Sequence, residues 1–558
     1  MVRRLSAAFV LSLALVSTDA TAAPAVEAEH GMVVSAHRLA SEVGVRILAA
    51  GGNAIDAAVA VGYALAVVDP CCGNIGGGGF MTIHLADGRE SFINFRETAP
   101  AAATPTMYLD AEGKPIDELS RSGYRAAGVP GTVMGLDRAT REYARLPRAA
   151  LIAPAIALAR DGFVLSRADT DILDGKSDRF VKDSAAAKIF RRPDGSRLDP
   201  SDRLVQTDLA ATLGLIAERG PEAFYNGPIA AAVEEASRQN GGILTVRDFA
   251  AYTATEIAPL TCSYRGYLIV SAPPPSSGGV TICEILNVLE SYDIAASGFH
   301  SVNSIRLMVE AMRRGYRDRN ATLGDPEFVA NPLERLLSKS YAASLRGEID
   351  RNAATPPTAA QSQNEKAETT HYSIVDGEGN AVAVTYTING SFGANVIAPG
   401  TGFFLNNEMD DFTVQPGTPN LYGLVQSEAN AIAAGKRPLS SMAPTLVEKD
   451  GRVVLVLGSP GGSRIISTVL ETVMNIIDFG MAPQDAVDAP RIHHQWQPAE
   501  VDFEHSGLSF EVKHQLTDVG YKLIEKQRWG AVELIQIVNG RFYGANDSRR
   551  PAGAAIGY

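Results

Sequence analysis

The pattern of apolar and polar positions changes abruptly at Thr369-Thr370. Before it, Arg351 to Glu368 (RNAATPPTAAQSQNEKAE) is small and polar, carries two prolines and has almost nothing to bury. It reads as an exposed, flexible connector. After it, His371 to Val375 and Ala381 to Thr387 are β-branched and aromatic runs of period two, joined by Asp376-Gly377-Glu378-Gly379-Asn380. That pattern predicts a β-hairpin whose first strand is entered through two threonines.

The same reading along the chain predicts an amphipathic helix from Ser35 to Ala50 that ends at Gly51-Gly52. Asn53 caps a second, alanine-rich core helix through Val68, which Asp69-Pro70 stops. Strands follow at Met81 to Leu85 and Ser91 to Phe95. From Gly128 to Asp350 the pattern is mostly helical, with helices entered at Gly128 to Gly131 and after Pro273 to Gly279. Further strands are expected at Thr445 to Val447 and Val453 to Leu457, and a helix from Arg464 to Phe479.

Met1 to Ala22 has a basic start (Arg3, Arg4), an apolar run (Ala7 to Val16) and a small-residue site at Ala20-Thr21-Ala22. It reads as a signal peptide, so the mature chain is expected to be exported, periplasmic or secreted, without a membrane anchor. With 558 residues, a net charge of −13 and 20% charged residues, the composition is that of an acidic globular protein. Nucleic acid and anionic membrane, which need a basic face, are disfavoured as partners. The four cysteines show no metal spacing. Neighbours such as Cys71 and Cys72 rarely bond each other, and a Cys262–Cys283 disulfide is open. No metal or cofactor is expected.

Several stretches carry candidate chemistry. Ile75-Gly-Gly-Gly-Gly-Phe80 leads into a strand without a following Lys-Ser/Thr, so close approach of another backbone or a substrate fits better than a phosphate cradle. Arg96, at a strand end, is either half of a structural ion pair or a bidentate carboxylate anchor. Glu408, Asp410 and Asp411 are either a cation site or a solvated loop. Pro416 to Ser427, with Tyr422, has the composition of a mobile flap. Gly458 to Ser463 between a strand and a helix is an anion site or a tight turn. His493 and His494 are read as structural.

These features join into one site if Thr369 becomes a chain terminus. A threonine hydroxyl is a weak nucleophile that needs a base, and a freed α-amine with a pKa of about 8 can serve. Gly461 and Gly462 would offer N–H groups to an oxyanion, while Arg96 and Asp411 would grip a charged acyl donor.

With those residues in view, the chain resembles the γ-glutamyltranspeptidases of the N-terminal nucleophile hydrolase superfamily. The likeness runs through GGNAIDAAVA, IGGGGF, NFRETAP, PPPSSGG, YRDRN with LGDPEF, TTHYSIVD, NNEMDDF, RPLSSMAPT and GSPGGSRI. It implies an α+β fold, a four-layer αββα sandwich. After autocleavage between Glu368 and Thr369, residues 23–368 and 369–558 would form a heterodimer of large and small subunits sharing one core. It implies Thr369 as nucleophile, Thr387 as the hydroxyl that bonds its amine, and Gly461 and Gly462 as the oxyanion hole. Arg96 would bind the donor α-carboxylate with Ser440 and Ser441. Asn389, Glu408 and Asp411 would surround its α-amino group, and Tyr422 would sit on a lid. Glutathione and other γ-glutamyl compounds are the implied donors, with water, amino acids or dipeptides as acceptors. A glutaryl or cephalosporin acylase of the same fold is the alternative, and an unprocessed non-catalytic binding homologue a further one.

Overall fold

A computed structural model describes residues 24–350, 353–355 and 368–558. Met1 to Ala22, read above as a signal peptide, and most of the connector ahead of Glu368 lie outside the described residues. The hairpin forms as its pattern dictates. For the two main sheets, strands in chain order are β1 (Val26–Ala28), β2 (Gly31–Ser35), β3 (Gly78–His84), β4 (Glu90–Phe95), β5 (Thr255–Ile257), β6 (Leu260–Tyr264) and β7 (Tyr267–Ser271). They continue as β8 (Thr370–Asp376), β9 (Ala381–Thr387), β10 (Thr445–Lys449), β11 (Arg452–Leu457), β12 (Glu533–Val538), β13 (Arg541–Asn546) and β14 (Ala554–Gly557). One seven-stranded sheet runs β14–β2–β8–β9–β3–β4–β5, the other β1–β13–β12–β11–β10–β7–β6. The hairpin β8–β9 is central in the first, with Thr370 opposite Tyr386.

Successive side chains of a strand point to opposite faces, and that period sorts the core into layers. Val33, Ile374, Val382 and Val384 pack outward against α1 (Arg38–Ala49) and α2 (Ala54–Val68). Their neighbours Met32, Val34, Val375 and Ala383 point inward, onto Val270, Leu446, Val456 and Ile535 of the second sheet. The outer face of that sheet, with Ile269, Val447 and Leu455, is covered by α3 (Gly278–Leu289), α4 (Val302–Thr322) and α5 (Ile465–Ile477). Helix, sheet, sheet, helix is the expected αββα sandwich. Among the described residues no helix is long and apolar enough to cross a membrane.

Local rules explain the elements nearest the site. Asn53 accepts from the N–H groups of Ile55 and Asp56, while Asp56 accepts from Asn53 N–H, a full capping box for α2. All fifteen residues of α2 are buried, as its small side chains require. The glycine tract brings backbones together: a Cβ on Gly77 would overlap the Thr387 carbonyl, and one on Gly76 the Phe404 carbonyl.

Three expectations need correction. The span Gly128 to Asp350 is mostly helical but also carries β5, β6 and β7, the last two joined through the Arg265-Gly266 turn, and a small pair of strands at Phe163–Val164 and Arg203–Leu204. Cys71 and Cys72 are joined as a vicinal disulfide, made where the chain turns sharply after α2; Cys262 and Cys283 are also joined, with Cα atoms 5.9 Å apart. The acidic run of Glu408, Asp410 and Asp411 is not a solvated loop. It forms a short helical turn in which Asp410 accepts from Ser120 Oγ (2.6 Å) and Leu421 N–H (2.8 Å).

Candidate active site

Thr369 stands at the mouth of β8, 3% exposed, with Glu368 still attached. Its Oγ1 donates to the Glu368 carbonyl oxygen (2.8 Å) and lies 3.1 Å from Thr387 Oγ1, at the end of β9. Thr387 Oγ1 in turn accepts from Asn389 N–H (2.8 Å) and lies 3.3 Å from the same Glu368 carbonyl oxygen. Two hydroxyls therefore converge on one peptide carbonyl. Arg550 braces the far side, its Nη2 reaching Glu368 Oε2 (3.4 Å) and the Thr369 carbonyl (3.5 Å).

A cavity opens at this point. Its wall includes Thr369, Thr387, Arg96, Asn389, Asp411, Tyr422, Ser440, Ser441 and Gly462, residues scattered over more than 360 positions of sequence. Gly461 (φ 138°) and Gly462 (φ 56°) both take backbone conformations that disfavour a side chain, at the turn that starts α5. Glycine at both positions lets N–H groups face a ligand at a helix start.

Arg96 is fully buried at the end of β4, and its fork is filled from within. Nη2 donates to Asp411 Oδ2 (2.5 Å), Nη1 pairs with Glu408 Oε2 (2.7 Å) and Glu97 Oε2 (3.4 Å), and Nε donates to the Pro438 carbonyl (3.2 Å). Burial opposes the Arg96 charge, but Glu408, Glu97 and Asp411 outweigh it and raise its pKa. Burial also pushes the carboxyls up, Glu97 to about 7 and Glu408 well above its ordinary range, with Arg96 acting against the rise. Of these four groups Arg96 and Asp411 line the cavity, a guanidinium beside a carboxyl, while Glu97 and Glu408 lie behind them. Glu408 is wholly buried and does not itself line the cavity.

Ser440 Oγ accepts from Met442 N–H (3.1 Å), while Ser441 Oγ accepts from Arg319 Nη2 (3.3 Å) and not from Arg96. Asn389 is held left-handed (φ 73°); its amide donates to the Asn407 carbonyl (2.9 Å), and Tyr422 Oη donates to its Oδ1 (2.6 Å). Tyr422 thus ties its segment to the cavity wall.

Three contributors escaped the sequence reading. Glu97 and Arg319 stand inside the strings NFRETAP and YRDRN, and their place as charged residues in those motifs was the available signal. Arg550, close to the C-terminus, gave no local signal. Among the described residues two groups of metal-capable side chains lie outside the cavity: Asp69 with Cys71 and Cys72, and His84 with Glu90 and Glu448. The cysteines of the first are bonded to each other, and in the second His84 Nδ1 faces Glu448 Oε1 at 2.7 Å. His493 and His494 are buried and bonded locally, to Ser467 Oγ (2.8 Å) and the Glu500 carbonyl (2.8 Å) respectively.

Two stacked antiparallel sheets between helices, with a hydroxyl residue heading a central strand, are the architecture of an N-terminal nucleophile hydrolase. Within that class the chain belongs to the γ-glutamyltranspeptidase family, whose profile it matches over residues 40–557. It is 52% identical to the glutathione hydrolase proenzyme of Pseudomonas sp. (strain A14), over 99% of this chain and 98% of that one. It is 46% identical to the glutathione hydrolase proenzyme of Escherichia coli (strain K12), over 96% and 93%. Among solved structures, a cephalosporin acylase from Bacillus halodurans superposes with a TM-score of 0.87 at 28% identity, covering 98% of this chain and 99% of that one.

Proposed function

We propose that this chain is the precursor of an exported γ-glutamyltransferase and glutathione hydrolase that cleaves itself between Glu368 and Thr369. The observation that carries the reading is the pair of hydroxyls, Thr369 Oγ1 and Thr387 Oγ1, gathered on the Glu368 carbonyl. Attack of Thr369 Oγ1 on that carbonyl carbon breaks the Glu368–Thr369 C–N bond, and the departing nitrogen takes the hydroxyl proton. The resulting ester is hydrolysed by water. Thr369 is then a free N-terminus, and its amine serves as base for its own hydroxyl.

In the mature heterodimer the acyl donor is a γ-glutamyl compound such as glutathione. Its α-ammonium meets Asp411 and Asn389, with Glu408 behind Arg96 holding that side chain in place. Its α-carboxylate meets Arg96, Ser440 and Ser441. The γ-carbonyl is attacked by Thr369 while Gly461 and Gly462 N–H groups hold the oxyanion. The C–N bond to the leaving amine breaks, leaving a γ-glutamyl ester on Thr369. Water then releases glutamate, or an amino acid or dipeptide amine takes the γ-glutamyl group.

Wild-type protein is expected to run as two chains on a denaturing gel, the smaller beginning at Thr369 by mass spectrometry. Thr369→Ala is expected to stay a single chain without transferase activity. Cleavage of that variant at the same bond overturns the nucleophile assignment. The likeness to a cephalosporin acylase makes an acylase the second reading. Wild-type turnover of γ-glutamyl anilide is expected to exceed that of glutaryl anilide, which lacks the ammonium, by at least about tenfold. The reverse preference selects the acylase.

A further inference from the structure

Arg319 is the other guanidinium in the cavity wall, and its surroundings invert those of Arg96. It projects from the last turn of α4 and is 1% exposed. Nε donates to Ser277 Oγ (3.0 Å), Nη1 to Asn320 Oδ1 (2.8 Å) and Gln426 Oε1 (2.8 Å), and Nη2 to Ser441 Oγ (3.3 Å). Every one of those acceptors is neutral. Among the described residues no carboxylate forms an ion pair with Arg319, and the closest charged influence, Asp411, is engaged by Arg96. Burial without a counter-ion pulls its pKa down to about 10. Even so it stays protonated at neutral pH. A buried cation left unpaired is costly unless an anion arrives to match it.

The hydrogen-bond directions add a second argument. A guanidinium donates only, so each serine it contacts must use its oxygen as acceptor there and point its own hydrogen elsewhere. Ser277 sends that hydrogen to the Ser440 carbonyl (2.6 Å), which fixes the Ser440 backbone. Ser441, 8% exposed and on the cavity wall, is left with its hydrogen free to turn into the cavity. Gln426, the third partner, donates to the Asp411 carbonyl (3.1 Å), so the same side chain also steadies the opposite, acidic wall.

We propose that Arg319 is a positioning and specificity-determining residue of the donor pocket. It sets the Ser441 hydroxyl as a hydrogen-bond donor and supplies the unmatched positive charge for a carboxylate on the incoming acyl group. This rests on the γ-glutamyl reading of the cavity given above. Arg96 is shared with Asp411, Glu97 and Glu408, so Arg319 adds beside it a positive charge that no carboxylate among the described residues pairs with. The pocket is therefore zwitterionic in its own right, negative around Asp411 and positive around Arg319, matching the ammonium and carboxylate of an α-amino acid.

The test compares γ-glutamyl anilide with γ-aminobutyryl anilide, the same donor without its α-carboxylate, on wild-type enzyme and on Arg319→Met and Arg319→Lys. Cleavage into two chains and the melting temperature first report whether each variant is folded. Arg319→Met is expected to raise KM for γ-glutamyl anilide by about 10- to 100-fold with kcat changed less than about threefold, the loss of one charge-assisted contact. The same variant is expected to turn over γ-aminobutyryl anilide within about threefold of wild type. Arg319→Lys, which keeps the charge, is expected to recover part of the lost KM and carries the comparison if the methionine variant is uncleaved. Equal losses on both donors overturn the proposal, since they mark a merely structural residue. A wild-type enzyme that does not prefer the carboxylate-bearing donor overturns the γ-glutamyl reading itself, and the Arg319 proposal with it.

Discussion

Thr387 shows how much of the chemistry depends on one hydroxyl. Its Oγ1 accepts from Asn389 N–H, so its hydrogen is free to be shared between Thr369 Oγ1 and the Glu368 carbonyl. Thr387→Val keeps the shape of the β9 terminus and removes that hydrogen. Self-cleavage of newly made protein, followed on gels against time, is expected to slow by about tenfold or more, while Thr387→Ser is expected to stay close to wild type. Cleavage of the valine variant at the wild-type rate sinks the assigned role. At this scale the sequence was informative where chemistry demands a residue type. Thr369, Arg96 and the Gly461-Gly462 pair were readable, and Thr369, Arg96 and Gly462 line the cavity. What was not readable is partnership: that Glu408 and Asp411 grip Arg96, and that Ser441 answers to Arg319, depends on contacts across hundreds of residues.

The hairpin β8–β9, α2 and the strands Ser91 to Phe95 and Val453 to Leu457 were legible because their periods are strong and their ends are marked by Asn53, Gly377 and Gly458. β5 to β7 and β12 to β14 were not. Each is three to six residues long and is stabilised by the neighbour it pairs with rather than by its own pattern. The glycine tract sits between these cases, since its composition announced close approach but not to what. Gly77 is pressed against the carbonyl of Thr387, and its own carbonyl accepts from Gly131 and Thr132 N–H (2.7 and 3.0 Å). It cannot retreat without breaking those bonds. Gly77→Ala is expected to displace Thr387, cost about 1–3 kcal/mol of stability and largely abolish self-cleavage. Gly214→Ala, in a helix with open space around the new methyl group, is expected to cleave normally. Normal cleavage by the Gly77 variant would detach the tract from the mechanism.

Both sheets are built from strands on either side of the Glu368–Thr369 bond: β2, β3, β4 and β5 with β8, β9 and β14 in one, β1, β6 and β7 with β10 to β13 in the other. Cutting that bond would therefore leave two chains interleaved through three apolar layers. Stability then belongs to the whole molecule, and so does its dependence on pH. His371, His493 and His494 are completely buried, and burial lowers each pKa to about 3, with the Arg313 and Arg464 charges adding to the effect at His494 and His493 respectively. An unfolded histidine titrates near 6.5, so between pH 6.5 and 3 the unfolded chain binds more protons. The stability these groups contribute is complete above pH 6.5 and drains as pH falls towards 3, at up to about 1.4 kcal/mol per pH unit for each. Buried Glu408, Glu471 and Glu533, whose pKa values burial raises, act in the opposite sense, their contribution being full at low pH and lost as pH rises. A raw melting curve mixes the two, whereas a difference separates them. His494 is bonded to the Glu500 carbonyl and lies away from the cavity wall, so His494→Gln tests the histidine term without touching the site. The variant is expected to be less stable than wild type at pH 7 and to close that gap steadily as the pH of the melt is lowered to 4.5. A gap independent of pH means that His494 is not held neutral in the folded protein.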